Sequence, residues 1–285
     1  MTPTSLIAIL LGAELLLQPG SASPGDVVLV TVTGVDDAPT GWLGKQRFAF
    51  WESPPGYWAL VGLSVDQKPG ELPLTVEAVE DGARVSLGGT LEVREANFRR
   101  RSLTVAPRFT NPSAKEVQRS ARDQRAFQKA FDQELEAFLF EGDFGWPRQD
   151  IVAAPFGDLR VFNGKRQSQH MGSDLDGEVG DPVAAANDGE VVMARDCFGS
   201  GNTVLIHHGG RLFTAYFHLS RVDVKVGDPV TRGQRLGLVG STGRVTGPHL
   251  HFGVKLDGRW VNPESLLSLR FETASDRATP VDAAP

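Results

Sequence analysis

The sequence predicts a mainly β protein with two folded parts joined by a helix. Short runs of β-branched and aromatic residues alternate with turn signals along most of the chain, and one stretch in the middle has helical periodicity. The 285 residues include 32 glycines and 18 prolines, which suits a turn-rich β fold better than a helical bundle. A chain of this length can form two domains that each bury a core.

The first 22 residues have the features of a signal peptide. An apolar segment covers residues 5–17, with Glu14 inside it, and small residues at 21–23 offer a cleavage position. The segment is too short and too interrupted to span a membrane. No Lys or Arg precedes it, so the alternative is that it forms the first strand or helix of the folded protein.

Residues 23–106 are predicted to form a small immunoglobulin-like β-sandwich. Candidate strands separated by Pro-Gly, Asp-Gly and Gly-Gly turns lie at 26–32, 47–51, 57–61, 72–79 and 89–93. Trp51 and Trp58 are interpreted as core or turn packing rather than as a ligand platform. The three arginines at 99–101 are interpreted as a solvated strand end or linker.

Residues 107–150 are predicted to be a helical connector. Ser113 and Glu116 have the spacing of a capping box. The apolar residues that follow recur with helical periodicity at 126, 127, 130, 131, 135, 138 and 139. Because this apolar face must be buried, the helix is expected to pack between the two domains and to end before Gly142.

The segment 151–270 is predicted to be a second β domain. Its candidate strands lie at 189–194, 203–208, 212–218, 235–239 and 249–256, and most alternate or are bounded by glycines, as antiparallel strands with one buried face do. The tail, 271–285, is small and polar and is predicted to be disordered.

Composition excludes several classes of protein. The net charge of −6 comes from mixed acids and bases, which gives no sign of a nucleic-acid-binding surface. The single cysteine, Cys197, excludes an internal disulfide framework and a thiolate metal cluster, and is interpreted as a small packed residue.

The histidines of the second domain carry the functional signal. His249 and His251 lie two residues apart in a predicted strand, so both point to one face, as a metal ligand and a proton-handling neighbour would. His170 and Asp174 form a second possible ligand pair, and His218 ends the apolar run 213–217.

These motifs, in this order, resemble the LytM/lysostaphin-type zinc metallopeptidases of the M23 family. The resemblance extends from about Phe156 to Leu267 and includes the turns Asn187-Asp188-Gly189 and Gly240-Ser241-Thr242-Gly243. It implies an antiparallel β core with an open groove, and export to the periplasm, the cell envelope or the medium.

The resemblance also implies the roles of the site residues. His170, Asp174 and His251 are expected to bind one Zn²⁺ per chain and to leave a position for water, whose pKa the metal lowers from ~15.7 toward ~7. His218 and His249 are expected to be the catalytic pair, one taking a proton from that water and the other stabilising the oxyanion. The sequence leaves open which histidine does which.

Other polar residues of this domain have weaker claims. Tyr216 is expected either to line the groove or to pack in the core, and Arg160 and Asn202 are candidates for binding the substrate. Of His207 and His208, one is expected to face the core and the other away from it, with His208 structural.

The sequence therefore predicts a monomeric, zinc-dependent endopeptidase that hydrolyses peptide cross-links between peptidoglycan stem peptides through a zinc-activated water. Two alternatives stay open: a zinc peptidase that acts on other proteins, and a non-cleaving peptidoglycan-binding activator of wall hydrolases. The bond that is cut, the role of the N-terminal domain and any inhibition by it or by the connector are also open.

Overall fold

The computed structural model describes residues 12–53, 56–133, 135 and 137–271, which divide into two compact units. The first unit contains residues 12–24, 28–61 and 68–95, and the second contains 25–27, 62–67 and 96–271. Both units are built mainly from antiparallel strands, so the predicted mainly β class is confirmed.

The first unit has two sheets, with strand orders β1-β3-β7-β6 and β2-β9-β8-β4-β5. The strands are β1 (Glu14–Gln18), β2 (Ser21–Ala22), β3 (Val27–Thr33), β4 (Thr40–Leu43), β5 (Gln46–Ala49), β6 (Trp51–Ser53), β7 (Gly56–Gly62), β8 (Gly70–Glu80) and β9 (Ala83–Val93). The hairpin β8–β9 turns at Asp81 and Gly82, which both have positive φ, as two-residue hairpin loops favour. Leu74, Val76 and Ala78 alternate inward along β8. Two such sheets accord with a sandwich, and the immunoglobulin-like topology stays a prediction.

The structure departs from the expected signal peptide over residues 14–22. Strand β1 pairs with β3 along its whole length, from Glu14 opposite Thr33 to Gln18 opposite Leu29. Cleavage at 21–23 would remove this strand from its sheet. The alternative interpretation, in which the segment forms the first strand, therefore fits residues 14–18, whereas residues 1–11 lie outside the described residues.

The second unit contains a large sheet, two small sheets and two α-helices. The large sheet has the order β11-β14-β22-β18-β17-β16-β20, with β23 paired to β22, and the small sheets have the orders β10-β12-β13 and β15-β21-β19. The strands are β10 (Arg100–Leu103), β11 (Val152–Ala154), β12 (Leu159–Phe162), β13 (Arg166–Gln169), β14 (Ser173–Asp176), β15 (Pro182–Ala184), β16 (Gly189–Cys197), β17 (Gly201–His207), β18 (Leu212–Leu219), β19 (Arg221–Val222), β20 (Pro229–Val230), β21 (Arg235–Leu238), β22 (His249–Leu256) and β23 (Arg259–Val261). The helices are α1 (Ala114–Phe131) and α2 (Pro263–Ser268), and a 3₁₀ turn covers Pro107–Phe109.

Helix α1 begins where the sequence predicts but ends earlier. Ser113 and Glu116 form both bonds of the capping box. The helix ends at Phe131, and Leu135 and Leu139 are not helical. Their segment instead follows the turn after β17: the amide of Leu139 donates to the carbonyl of His208 (2.8 Å), and the amide of Gly210 donates to that of Leu135 (3.2 Å). The helical periodicity beyond Phe131 was therefore misleading.

Helix α1 also packs differently from the expected connector. Its apolar face lies on the large sheet, where Ala130 and Phe131 join a buried cluster with Met193, Leu205 and Phe213. The whole helix falls within the second unit. Its apolar residues are thus buried by this sheet, and no interdomain position is needed to cover them.

The arginine run at 99–101 lies at the solvated start of a strand, which was one of the two predicted alternatives, and is not a linker. Arg100–Leu103 forms β10, which pairs in parallel with β12 of the second unit. Nε of Arg101 donates to Oδ2 of Asp158 at 2.6 Å, and Asp158 is buried. A buried carboxylate needs such a cation, and this places the strand in the second unit rather than in a domain that ends at 106.

In the described ranges, no helix is both long enough and apolar enough to cross a bilayer. The tail, 271–285, is predicted to be disordered. Of these residues only Phe271 is described, and 272–285 lie outside the described residues.

Candidate metal and catalytic site

Two neighbouring strands of the large sheet place Asp174 beside His251. β14 and β22 are antiparallel, and Asp174 lies directly opposite His251 in their register. His170 lies just after β13, and its backbone is fixed by a hydrogen bond from its amide to the carbonyl of Asp158 (2.9 Å). The three side chains are buried.

The donor atoms of these residues converge on one point. Oδ1 of Asp174 lies 3.0 Å from Nε2 of His170 and 2.8 Å from Nδ1 of His251. The two ring nitrogens are 3.0 Å apart. Two imidazoles and one carboxylate form the ligand set of many catalytic zinc sites.

The neighbours of His170 fix which of its ring nitrogens carries the proton. Nδ1 lies 2.8 Å from the carbonyl oxygen of Pro155, so it is the donor of the neutral ring and Nε2 keeps its lone pair. That lone pair faces the Asp174 carboxylate and the ring of His251. A single proton, on Nδ1 of His251, can satisfy these three atoms only in part, whereas a divalent cation suits all of them.

The protonation states of the cluster are also those that a metal needs. Burial raises the pKa of Asp174, but the close contacts of its carboxylate with the ring nitrogens of His170 and His251 outweigh burial and hold the pKa well below its usual range. Burial lowers the pKa of His251 to about 4, against the opposing effect of Asp174. At neutral pH the carboxylate is therefore ionised and the imidazole is neutral, as metal ligation requires.

Glycine at position 172 is required by close packing inside this cluster. A Cβ there would lie 2.6 Å from both Nε2 of His251 and the carbonyl oxygen of Phe252. The second position after His170 must therefore lack a side chain, and this explains the spacing His-x-Gly-x-Asp in local terms.

His218 is held next to the cluster by an unusual backbone conformation. Its φ is +66°, rare for a residue with a side chain, and its amide donates to the carbonyl of Ser200 (2.8 Å). Nδ1 of its ring donates to the carbonyl oxygen of Thr242 (2.8 Å). The free ring nitrogen, Nε2, is then a proton acceptor.

The Gly240–Gly243 turn brings that carbonyl to His218. Gly243 has a φ of +77°, and a Cβ on it would lie 2.4 Å from the amide nitrogen of Gly201. The turn can approach β17 this closely only with glycine at this position. The Gly240–Gly243 turn thus orients the ring of His218.

The ring of His249 is also oriented by a hydrogen bond to a backbone carbonyl. Its Nδ1 donates to the carbonyl oxygen of Gly247 (2.9 Å), which leaves Nε2 as the acceptor, 3.7 Å from Oδ1 of Asp174. The ring centroids of His218 and His249 are 5.0 Å apart. The structure thus brings all five predicted site residues together, two of them with a free ring nitrogen beside a cluster of three donors.

Tyr216 and His218 do not share a strand face, although residues two positions apart in a regular strand do. Tyr216 is fully buried, and its hydroxyl oxygen accepts from the amide of Ala186 (2.9 Å). The positive φ of His218 and a register shift between Asn202 and Val204 break the alternation. Tyr216 is therefore a core residue.

His207 and His208 are both buried, whereas one was expected to face outward. The strand ends at His207, which stacks on Phe213 with ring centroids 4.1 Å apart. His208 lies beyond the strand and binds the carbonyl of Asp188 (2.6 Å) and the hydroxyl of Thr214 (2.8 Å). Neither histidine is within the metal-ligand cluster.

Of the two weaker substrate candidates, only Arg160 reaches the site. Its guanidinium donates to Oδ2 of Asp174. Asn202 instead donates to the carbonyl of Leu219 (2.9 Å) and is not among the described residues that line the groove. Arg166 and Arg244 also line the groove, but they were not predicted as site residues, because isolated arginines far apart in the chain carry no pattern.

The donor cluster opens into a groove of about 880 Å³, entirely within the second unit. Helix α1 forms one wall, with Glu116, Gln124 and Phe127 facing the space. His170, His218 and His251 lie on the floor. Buried Asp123 anchors the helix, because its carboxylate accepts from Arg195 (3.0 Å) and from the amide of Phe198 (2.7 Å).

Comparison with known proteins identifies the segment that carries this site. Residues 168–263 match the model of peptidase family M23. The peptidoglycan DD-endopeptidase ShyA of Vibrio cholerae serotype O1 is 51% identical over 98 residues, which cover 34% of this chain and 23% of that protein. The DD-carboxypeptidase/endopeptidase Mpg of Neisseria meningitidis serogroup B is 42% identical over 97 residues, which cover 34% of this chain and 22% of that protein.

A solved structure extends the likeness beyond this segment. A crystal structure from Pseudomonas aeruginosa, described as a peptidase M23, superposes with a TM-score of 0.64 at 25% sequence identity, over 86% of this chain and 94% of that one. The matches to ShyA and Mpg, in contrast, span less than a quarter of the length of either protein. The resemblance predicted from the histidine motifs is confirmed: residues 168–263 are a peptidase family M23 domain.

Proposed function

We propose that this protein is a zinc-dependent endopeptidase that hydrolyses peptide cross-links of bacterial peptidoglycan. The observation that carries the proposal is the convergence of three donor atoms beside two histidines with free Nε2 atoms, at the floor of an open groove. The names of the similar proteins from Vibrio and Neisseria support the choice of substrate. Action on peptidoglycan also implies a location outside the cytoplasm.

In this proposal His170, Asp174 and His251 hold one Zn²⁺. When bound, the ion supplies a Lewis acid that lowers the pKa of a water molecule and polarises the scissile carbonyl. The Pro155 carbonyl fixes the His170 tautomer, and Arg160 occupies the second oxygen of Asp174, so one carboxylate oxygen is left for the metal.

His218 and His249 handle the proton. Each ring donates from Nδ1 to a backbone carbonyl, so each presents Nε2 as an acceptor. One of them accepts a proton from the attacking water as the new C–O bond forms. The same proton passes to the amide nitrogen as the C–N bond breaks. Between these two proton transfers, the other ring hydrogen-bonds the substrate. A residue in such a role contributes ~10²–10⁴-fold to the rate.

Aromatic side chains along the helix wall offer a binding surface for the substrate peptide. Phe127 and Phe131 on α1, with Phe217 and Trp260 on the sheet, form an aromatic side of the groove. Ring planes of this kind bury the apolar parts of a peptide and exclude water from the reacting bond.

The test combines metal content with digestion of purified sacculi, for the wild type and His251→Ala. We expect about one zinc per wild-type chain and conversion of cross-linked muropeptide dimers to monomers, identified by mass. His251→Ala should lose both, with an unchanged circular dichroism spectrum. Zinc with intact sacculi but digested casein would instead indicate a peptidase for other proteins. Neither zinc nor cleavage would refute the proposal and leave a peptidoglycan-binding module.

A further inference from the structure

Three arginines line the groove beside the donor cluster. Arg160 lies on β12, Arg166 begins β13 and Arg244 follows the Gly240–Gly243 turn. The hairpin β12–β13 and the turn bring them together, and Arg244 is close enough to both others to be affected by their charges.

These guanidinium groups have almost no acidic partners. Arg160 contacts Asp174, but its Nε is buried without a hydrogen-bond partner in the described part of the chain. Arg244 lies over the ring of Phe162, with Cζ 4.5 Å from the centroid. Across the described ranges, neither Arg166 nor Arg244 forms an ion pair with a carboxylate.

The acids of the groove are engaged elsewhere. Glu116 accepts from the amide and hydroxyl of Ser113 in the helix cap (2.8 and 2.7 Å). Asp123 binds Arg195 and the backbone of Phe198. Neither neutralises the arginines, so this side of the groove carries an uncompensated positive charge.

This charge is costly in the absence of an anion. Burial, followed by the like charges of Arg166 and Arg160, lowers the pKa of Arg244 to about 10. Cations held together in a partly dehydrated groove repel one another, and an anion between them removes that repulsion. Planar guanidinium groups bind carboxylates with paired, charge-assisted hydrogen bonds.

We propose that Arg160, Arg166 and Arg244 form a subsite for a free carboxylate on the residue that supplies the leaving amine. The inference rests on the proposed peptidase function and narrows its substrate class. A stem-peptide cross-link made on the side-chain amine of a diamino dicarboxylic acid leaves a carboxylate on the carbon next to the amide nitrogen, whereas a lysine side chain or a glycine bridge carries none there. The subsite thus selects cross-links made on a diamino dicarboxylic acid over those made on lysine or through a glycine bridge.

The position of the subsite suits that carboxylate. Arg160 touches the carboxylate of Asp174, so an anion held by Arg160 lies next to the donor cluster. Arg166 reaches the same groove from the hairpin and Arg244 reaches it from the turn, and His218 also lines this groove. The peptide bond of a substrate held in this way lies against the two catalytic histidines.

A pair of matched peptides tests the subsite. One is a cleavage product with a free amine and an adjacent carboxylate, and the other has that carboxylate converted to a primary carboxamide. Binding of both is measured by calorimetry on the zinc-loaded full chain. We expect the carboxylate to bind about 10- to 100-fold more tightly, as charge-assisted hydrogen bonds in a partly buried site do.

The variants Arg166→Gln and Arg244→Gln should reduce this preference to less than about threefold, with little change for the carboxamide. Arg166 is exposed, so its replacement tests the subsite without a risk to folding. The control is Arg235→Gln, which removes the same charge from an exposed pair with Asp223 outside the groove and should keep the full preference.

Two further outcomes separate this inference from the proposed function. Equal binding and equal cleavage of carboxylate and carboxamide cross-links would overturn the subsite while the peptidase proposal stands. A carboxylate preference that depends on Arg166 and Arg244, without cleavage of any cross-link, would support the subsite and refute the peptidase. Retention of the preference in both variants would also overturn the subsite.

Discussion

The guanidinium of Arg160 binds Oδ2 of Asp174, while Oδ1 of the same carboxylate faces the ring nitrogens of His170 and His251. The two oxygens of one side chain therefore have separate partners. Arg160 holds the carboxylate in a single orientation, so that only Oδ1 points at the donor cluster. Neighbours of metal ligands commonly set ligand orientation in this way.

Arg160→Gln should therefore weaken zinc binding about 10- to 100-fold, because Asp174 loses the partner that orients it. Zinc affinity is measured by competition with a chromogenic chelator, with the melting temperature as a check on folding. Tighter binding in the variant would mean that repulsion between Arg160 and the metal outweighs orientation, and would contradict this role.

His249→Ala and His218→Ala should each keep zinc and lose about 10²–10⁴-fold in turnover, because both rings lie outside the expected ligand set but keep Nε2 free beside it. His251→Ala is the comparison that should lose the metal. Zinc per chain and turnover are measured on the same samples. Since Nε2 of His249 lies only 3.7 Å from Oδ1 of Asp174, loss of zinc in His249→Ala would show that it is a ligand instead.

Gly243→Ala should reduce turnover about 10-fold or more without removing zinc. The new Cβ would meet the amide of Gly201 and displace the Thr242 carbonyl that orients His218. Gly247→Ala is the matched control, because no atom lies within 4 Å of a Cβ at that position, although the Gly247 carbonyl orients His249. Similar losses in both variants would argue against a specific role for the Gly240–Gly243 turn.

The free energy of unfolding should fall as pH decreases from about 6.5 to about 4, partly through His208. Burial lowers the pKa of His208 to about 4. The unfolded chain binds this proton near pH 6.5, so acid favours the unfolded state until the folded state is also protonated. Below pH 4, protonation of this histidine in the unfolded chain lowers the free energy of unfolding by about 3 kcal/mol relative to neutral pH.

His208→Gln removes this titration and should flatten the slope of stability against pH in that window, even if the variant is less stable at pH 7. Urea unfolding at several pH values measures the slope. His218 and His251 have lowered pKa values as well, so part of the slope will persist in the variant. An unchanged slope would mean that His208 does not titrate on unfolding.

The placement of His249 and His251 on one strand face was predictable because strand alternation defines it, whereas the expected ligand set came from the resemblance to peptidase family M23. His249 and His251 alternate along β22 with the core residues Leu250 and Phe252, as the sequence indicates. The capping box of α1 was equally local: Ser113 and Glu116 need no other part of the chain. Features that depend on a few neighbouring residues were read correctly.

Features set by distant contacts were not predictable. The apolar residues Leu135 and Leu139 continue a helical pattern, yet their backbones hydrogen-bond to the turn that contains Gly209 and Gly210. No local signal announces the positive φ of His218, which turns its side chain away from the face of Tyr216. The arginine subsite depends on a hairpin and a turn that meet only in the folded chain.

Asp174 and His251 are 77 positions apart, yet they are direct partners across two adjacent strands. An ion held by both would cross-link the two ends of this long segment of the second unit. Closing so long a loop removes conformational freedom from the unfolded chain as well as ordering the folded one. The donor atoms proposed for the chemistry would thus also stabilise the fold, and removal of the ion should lower the stability of the strands around the groove as well as the activity.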